Sequence, residues 1–285
     1  MADRQDPAHD GPYVGMPVGP VSFTITDDTL ADYYGGLELP APASSEVAPS
    51  MLANNADLTT QAYFTNGFGN LWLRQEWACS QPLRPGLEYT AAGEVVEIYE
   101  RRERTVVVTE TVLRTPDGEA AVVQRHHQSF LLGQETGTVD LRDPKRKEGA
   151  GKFSVPAGEA IEGAAHDISL EMCGQFFHGA RNYHTDKEAS EELGFTDVVV
   201  GGKLTMSYLG ELMSERFPTW GRSGRMLVKF TNIVWPGETV RARGVITGPR
   251  EDDPSRTGIF GWVEKTDGTV ALVAEGSVAE ASTGP

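Results

Sequence analysis

Two histidines lie in one short polar segment, residues 177–189, whose sequence is FHGARNYHTDKEA. An unperturbed histidine has a pKa of about 6.5, so His184 and His178 are candidates for general acid/base catalysis near neutral pH. Asp186 follows His184 by two residues and could orient its ring, although its position also predicts the N-cap of the next helix. The structural alternatives are a hydrogen-bonded loop histidine at 184 and, at 178, a cation near a helix C-terminus.

A pair of glycines, Gly201 and Gly202, leads from the apolar letters VVV into a helical pattern. A helix that begins there presents unpaired backbone N–H groups at the positive end of its dipole. Such groups can stabilise an oxyanion that forms during a reaction. The alternative is that the two glycines only permit a tight turn.

The N-terminal half is predicted to contain a strand, a helix and then four strands. The segment VSFTITDDTLADYYGGL indicates the first strand and helix, with Thr26 or Asp27 as the N-cap and Gly35 and Gly36 at the helix end. The letters SEVAPSMLANNADLTTQAYF are mostly compatible with a further helix. Strand character with turn signals follows over residues 71–79, 89–98, 104–114 and 120–132.

The C-terminal half repeats this order of helices followed by antiparallel strands. Helices are predicted in DISLEMCGQFF, in DKEASEELGF and in GGKLTMSYLGELMSERF, the second capped by Asp186 and stopped by Gly194. Strands are predicted over residues 225–231, 239–246, 256–265 and 270–279. The shared order indicates an internal structural duplication.

The domain organisation follows from the change of composition between the halves. We expect a flexible N-terminal segment over residues 1–20, one domain over 21–135, a polar linker over 136–152 and a second domain over 153–285.

The bulk composition excludes several classes of partner. The formal net charge of −16 disfavours nucleic acid and anionic membranes, and no apolar run approaches the roughly 18 residues that span a bilayer. Cys79 and Cys173 are the two cysteines of the chain, which fits free, buried thiols in a reducing, cytoplasmic compartment. His126 and His127 point to opposite faces of one strand; one could face a pocket, but structural roles are favoured.

Two motifs of the C-terminal half resemble the active-site region of MaoC-like enoyl-CoA hydratases and dehydratases. They are RNYHTDKEASEELGFTDVVVGGKLTMSYL and, further along, FTNIVWPGETV. The N-terminal letters LRPGLEYTAAGEVVEIYERRERTVVVTETVLRTPDGEAAVVQRHHQSFL resemble the dehydratase-like domain that is often fused to it. The resemblance implies an α+β tandem hot dog, in which each half wraps an antiparallel sheet round one long central helix and the two halves pair.

The resemblance also implies roles for the histidine loop. Family members carry a loop similar to Gly-Asp-x-Asn-Pro-(Ile/Leu)-His, whose Asp and His act on a water molecule. Asn182 and His184 match its Asn and His, with Tyr183 alone between them. The catalytic Asp has no counterpart, because Gly179 or Ala180 occupies its position.

These matches imply His184 as the acid/base, with His178 as a replacement for the missing Asp and Asp186 as an orienting group. Asn182 is expected to fix the loop and face the site, and Tyr183 to pack or to shape the acyl pocket.

Substrate binding is implied for the helix start and for nearby cations. Gly202 matches the family's glycine and Gly201 replaces a histidine, so the backbone there is the expected oxyanion hole for a thioester carbonyl. A carrier with phosphates would need local positive charge, which a sequence cluster could supply: Arg181, Lys203, Arg222, Arg225 and Lys229. Singly, such residues are usually solvated surface charges.

The expected function is therefore hydration or dehydration across the α,β bond of an acyl thioester carried by CoA or a carrier protein. The N-terminal half is expected to shape the acyl pocket without chemistry of its own, and a homodimer is possible. No metal-ligand spacing or nucleotide-binding motif is present in the sequence, so neither a metal nor a cofactor is expected. The alternatives are a hot-dog thioesterase, a non-catalytic acyl-binding hot dog, and a specialised biosynthetic elimination or isomerisation.

Overall fold

The structure, a computed structural model, describes residues 11–42, 46–56, 58–141 and 153–279. The N-terminal half contains β1 (Pro17–Thr24), α1 (Asp27–Gly36), two 3-10 helices (Ser50–Asn55 and Thr59–Ala62), β2 (Leu71–Cys79), β3 (Glu88–Arg101), β4 (Arg104–Arg114) and β5 (Ala120–Phe130). The C-terminal half contains β6 (Glu159–Asp167), α2 (Leu170–Phe176), α3 (Lys187–Glu192), α4 (Gly202–Arg216), α5 (Trp220–Ser223), β7 (Arg225–Phe230), β8 (Thr239–Pro249), β9 (Arg256–Lys265) and β10 (Val270–Ala279). The strands predicted from the sequence are all present, and β2, β4, β9 and β10 have the predicted limits.

The strands form one ten-stranded antiparallel sheet in the order β1-β3-β4-β5-β2-β7-β10-β9-β8-β6. The two halves meet where β2 pairs with β7, with Gln75 opposite Val228 and Glu76 opposite Leu227. Read outward from this junction, both halves show the same succession of strands, which supports the internal duplication.

The C-terminal half wraps its sheet round the 15-residue helix α4. The side chains of Leu204, Leu209 and Met213 on this helix are fully buried in the main core. The helix lies so close to β9 that a Cβ added to Gly261 would stand 2.8 Å from Leu209 Cδ1. This half matches the expected hot dog, in which an apolar helix is packed into the curve of the sheet.

The N-terminal half departs from the expectation of a long central helix. Among its described residues the longest helix is the 10-residue α1, and the segment expected to be helical forms the two short 3-10 helices. Asn54 and Asn55 lie at their break, and asparagine favours side-chain hydrogen bonds over a helix interior. Both side chains bond elsewhere in the fold, to Gln75 and Lys203. The double hot dog sheet is present, but the long central helix expected for this half is absent from its described residues.

Several smaller predictions can be compared with the structure. Thr26 caps α1 and Asp186 caps α3, as expected. Strand β1 begins at Pro17, so residues 17–20 belong to the sheet and not to a flexible segment. Residues 142–152 of the predicted linker lie outside the described residues. No helix in the described part of the chain is both long and apolar enough to cross a membrane.

Candidate active site

A cavity of about 1670 Å³ lies between the two halves and is lined by residues of both. Its wall includes seven of the nine site residues expected from the sequence: His178, Asn182, Tyr183, His184, Gly201, Gly202 and Lys203. The other two, Arg181 and Asp186, are not part of the wall. The folding of the chain thus brings the histidine loop and the start of α4 to one cavity.

His184 is held in a fixed orientation by one backbone carbonyl. Its Nδ1 lies 2.7 Å from the carbonyl oxygen of Val199. Because a carbonyl only accepts, Nδ1 carries the proton and donates it to this bond. Nε2 is then the lone-pair nitrogen, and it has no hydrogen-bond partner among the described residues.

The surroundings of His184 keep its ring neutral. Burial lowers the pKa of His184 from 6.5 to about 4, although the hydrogen bond to Val199 offsets part of this shift. The ring stacks on Phe177, with centroids 4.9 Å apart, and contacts the ring of Tyr183 at 3.8 Å. At neutral pH the site therefore presents an imidazole lone pair that can accept a proton, which is the requirement for a general base.

The glycines at the start of α4 lie between two aromatic stacks. A Cβ at Gly201 would stand 2.1 Å from Phe177 Cζ, and a Cβ at Gly202 would stand 2.9 Å from Phe230 and 3.2 Å from Trp72. Neither position has room for a side chain. As the first residue of α4, Gly202 has no intrahelical acceptor for its N–H, so a helix amide is available beside the histidine loop.

Asn182 fixes the loop that carries His184. Its Oδ1 accepts a hydrogen bond from the His184 amide at 2.8 Å, and its Nδ2 donates to the Ala180 carbonyl at 3.0 Å. Thr185 adds a further bond to the Ala180 carbonyl. The loop-fixing role expected for Asn182 is thus visible in its contacts. Tyr183 packs between His184 and Phe195 and forms part of the cavity wall.

His178 takes part in a contact between the halves. It follows the end of α2 in the left-handed region, with φ of 60°, and its Nδ1 lies 2.6 Å from Asp32 Oδ2 of α1. About half of its side chain is exposed. The structure thus places a carboxylate beside His178, from the N-terminal half.

The carboxylate of Asp186 bonds to protein groups outside the cavity. It caps α3 by accepting from the Ala189 amide at 2.9 Å, and it also lies 3.1 Å from Arg181. The orienting role expected of Asp186 is filled by the Val199 carbonyl instead, because the helix cap already uses the aspartate. Arg181 is engaged by three carboxylates, those of Asp186, Glu188 and Glu192.

The cationic cluster expected from the sequence is dispersed in the fold. Lys203 and Lys229 line the cavity, whereas Arg222 and Arg225 do not. Lys203 donates to Asn55 Oδ1, and Lys229 lies 3.1 Å from Glu275. Closeness in sequence therefore did not predict a common phosphate site.

The cavity wall also contains a region that the sequence analysis did not assign to the site. His126, for which a structural role was favoured, lines the cavity and packs against Trp72, with ring centroids 4.5 Å apart. Trp72 also contacts Phe230, at 5.1 Å. His127 faces the other side of the sheet, where it bonds to Glu76. The adjacent histidines His126 and His127 were the signal in the sequence, but they do not indicate which face of the strand borders the cavity.

Comparisons with known proteins agree with this architecture. Residues 179–266 match the family model described as MaoC like domain. A MaoC-like dehydratase from Phytophthora capsici is similar in structure, with a TM-score of 0.70 and 14% identity over 94% of this chain and 98% of that one. The search of curated proteins found no match.

Two further structures show the same likeness. The full-length peroxisomal multifunctional enzyme type 2 from Drosophila melanogaster has a TM-score of 0.66 and 16% identity over 93% of this chain and 48% of that one. A conserved hypothetical protein from Mycobacterium tuberculosis, described as a double hotdog fold, has a TM-score of 0.64 and 13% identity over 95% and 98%. The chain thus has the double hot dog fold, and residues 179–266 of its C-terminal half are similar to the MaoC like domain, in agreement with the resemblance seen in the sequence.

Proposed function

We propose that the protein hydrates or dehydrates the α,β bond of an acyl thioester, with His184 as the general acid/base. The observation that carries the proposal is the neutral His184 ring at the cavity beside the start of α4, whose Nε2 has no partner within the described part of the chain. The MaoC-like domain match supports hydratase or dehydratase chemistry in general. The carrier of the acyl group is CoA or a carrier protein.

Hydration needs one proton removed from water and one delivered to the α-carbon. His184 Nε2 takes a proton from a water molecule while the oxygen of that water bonds to the β-carbon of the enoyl thioester. The π electrons move onto the carbonyl oxygen, where the Gly202 N–H donates to the developing enolate. The imidazolium then returns its proton from Nε2 to the α-carbon, and the carbonyl reforms.

One group can therefore perform both proton transfers, which removes the need for the missing Asp. Dehydration runs through the same steps in reverse, with neutral His184 taking the α-proton and returning it to the leaving hydroxyl. His178 lines the same cavity and is paired with Asp32, so it is a secondary candidate for the proton transfers.

The experiment is a panel of trans-2-enoyl-CoA thioesters of short, long and branched chains, followed by loss of the conjugated-thioester absorbance. We expect turnover by the natural chain, and a fall in kcat of about 10²–10⁴-fold in His184→Gln, the usual contribution of a general base. His166→Gln is the matched control, because His166 is outside the cavity wall. His178→Ala measures the secondary candidate.

The other functions would appear as different outcomes of the same assay. Release of free thiol from saturated acyl-CoA would favour the thioesterase, which could use the same neutral imidazole to activate water. Binding of thioesters without turnover of any would favour a non-catalytic acyl-binding hot dog. Full activity of His184→Gln would contradict the assigned role while leaving the reaction intact.

A further inference from the structure

The inner face of the N-terminal sheet carries a row of buried polar side chains, whereas the C-terminal sheet packs apolar residues against α4. We name this row the polar strip; it consists of Gln75 on β2, Thr111 on β4, and Gln124, His126 and Gln128 on β5. Each of the five is at most 9% exposed, and all five line the cavity. Polar groups at this depth destabilise a fold unless they are hydrogen-bonded, so their partners define what the strip can bind.

The first part of the strip is an amide network with a fixed orientation. Gln124 Nε2 donates to the Ala53 carbonyl at 3.1 Å, and because that carbonyl only accepts, Gln124 Oε1 must face Gln75. Gln75 Nε2 donates to it at 3.2 Å and to Asn54 Oδ1 at 3.1 Å. Gln75 Oε1 is then the remaining acceptor, and it is buried without a donor.

The second part of the strip fixes the tautomer of His126. Gln128 Nε2 donates to Asn70 Oδ1 at 3.3 Å, and Gln128 Oε1 lies 3.1 Å from His126 Nε2. Because that oxygen only accepts, His126 carries its proton on Nε2, and Nδ1 holds the lone pair. Burial lowers the pKa of His126 to about 3, so the ring is neutral and Nδ1 is an acceptor at physiological pH.

The strip therefore has more acceptors than donors to satisfy them. Among the described residues, His126 Nδ1 makes no hydrogen bond. The atom is not shut off from the surface, so a ligand can reach it. The Thr111 hydroxyl likewise makes no hydrogen bond among the described residues and is accessible from the surface. A ligand whose donor reaches these atoms would pair with them, whereas an apolar ligand would cover them without a hydrogen-bond partner.

The strip is close to the reacting end of the cavity. Trp72 packs against the His126 ring and lies 3.2 Å from the position of a Gly202 Cβ, at the start of α4. An acyl thioester whose carbonyl is at Gly202 therefore has the strip beyond Trp72 within reach of its chain.

We propose that the acyl group carries a hydroxyl beyond its reacting carbons, and that His126 Nδ1 and the Thr111 hydroxyl bind it. A plain alkyl chain would cover these polar atoms without replacing a hydrogen bond, whereas a hydroxyl donates to His126 and accepts from Thr111. The inference rests on the proposed thioester function and adds the chemical class of the acyl group.

The experiment measures binding, so it is independent of turnover. Saturated acyl-CoA esters of 6 to 12 carbons, each with and without a hydroxyl along the chain, are titrated calorimetrically. We expect at least one hydroxylated ester to bind about tenfold tighter than its alkyl match, since a buried site built for a hydroxyl rejects the analogue that lacks it.

Variants assign the preference to the strip. His126→Phe keeps a ring against Trp72 and removes the acceptor, and Thr111→Val removes the hydroxyl at equal size, so both are expected to reduce the tenfold preference to less than threefold. His127→Gln, on the same strand but the opposite face, should retain it. Thermal unfolding checks that each variant is folded. If His126→Phe does not fold, Thr111→Val alone provides the test.

Equal or weaker binding of every hydroxylated ester would overturn the acyl-group inference and leave the proposed reaction untouched. Retention of the preference in both His126→Phe and Thr111→Val would also overturn it. Failure to bind any acyl-CoA, together with no turnover of enoyl-CoA, would instead remove the proposed function and this inference with it.

Discussion

The two halves share the order of their strands but differ in what covers the inner face of each sheet. The turns Asp117-Gly118 and Asp267-Gly268 align β5 with β10, so Gln124 corresponds to Ala274 and His126 to Gly276. The C-terminal face is small and apolar and holds α4, whereas the N-terminal face is polar and borders the cavity. The comparison teaches that one duplicated sheet can pack a long helix on its inner face in one copy and border a cavity with the same face in the other.

The largest test of this contrast is to exchange residues at matched positions. Ala274→Gln puts an amide into the apolar core of the C-terminal half, where overpacking costs about 1–3 kcal/mol and an unpartnered amide about 1–3 kcal/mol more. Gln124→Ala should lose only the hydrogen bonds of the network, about 1–3 kcal/mol. Urea unfolding measures both. Similar stability of Ala274→Gln and the natural chain would show that the C-terminal face is not tightly filled.

The closeness of α4 to its sheet gives a second test. Gly261 faces Leu209 with no room for a Cβ, so Gly261→Thr should lower the free energy of unfolding by about 1–3 kcal/mol. The position that corresponds to it in the N-terminal half is Thr111, at the cavity. Thr111→Val should change stability by less than about 1 kcal/mol, because it keeps the size of the side chain and removes a hydroxyl that makes no hydrogen bond among the described residues. An equal loss from the two changes would mean that the Thr111 hydroxyl has a stabilising partner in the fold.

We expect the buried His126 to make stability depend on pH. The corresponding residue of the C-terminal half, Gly276, has no side chain that could do so. The pKa of His126 is lowered from 6.5 to about 3 in the folded state, so between these values the unfolded chain binds one more proton. Its contribution is complete above pH 6.5 and is lost as the pH falls toward 3, by up to about 1.4 kcal/mol per unit. The stability difference between the natural chain and His126→Gln should shift by about 1–2 kcal/mol between pH 7 and 5. Parallel pH profiles would show that folding does not lower the pKa of His126.

The smallest effect is expected at the contact between α1 and the histidine loop. His178 and Asp32 are both partly exposed, and exposed ion pairs contribute about 0–1 kcal/mol. Asp32→Asn should therefore change the free energy of unfolding by less than about 1 kcal/mol, and this difference should become smaller in high salt. If the same variant lowers kcat as much as His184→Gln does, the pair shares the acid/base role, and the single-histidine account is incomplete.

Much of the fold could be predicted because turn signals bound its strands closely. The exposed edge strand β6 was missed, since its letters EAIEGAAHD contain small and polar residues without a clear apolar alternation. The lack of a long helix among the described N-terminal residues could not be predicted from local sequence either. Asn54 and Asn55 are held by hydrogen bonds to Gln75 and Lys203, which are distant in the chain.

The candidate site also has features that the sequence predicted and features that it could not predict. His184 and Gly202 could be chosen because their motif places them together, but the partner of His184 is a backbone carbonyl, which no residue type reveals. On β5 both faces carry polar side chains, His126 on one and His127 on the other, so alternation could not show which face borders the cavity. For Asp186 the residue type allowed two roles, orienting His184 or capping a helix, and its carboxylate caps α3.

The most direct test of the account is the pH dependence of kcat/KM for enoyl-CoA hydration. Since the base must be neutral and burial lowers the pKa of His184 to about 4, kcat/KM should stay constant from pH 8 down to about 5 and then fall with one-proton steepness toward pH 4. His184→Gln should lose the activity throughout this range. A fall centred near pH 6.5, or a His184→Gln profile equal to that of the natural chain, would contradict the claim that buried, neutral His184 is the base.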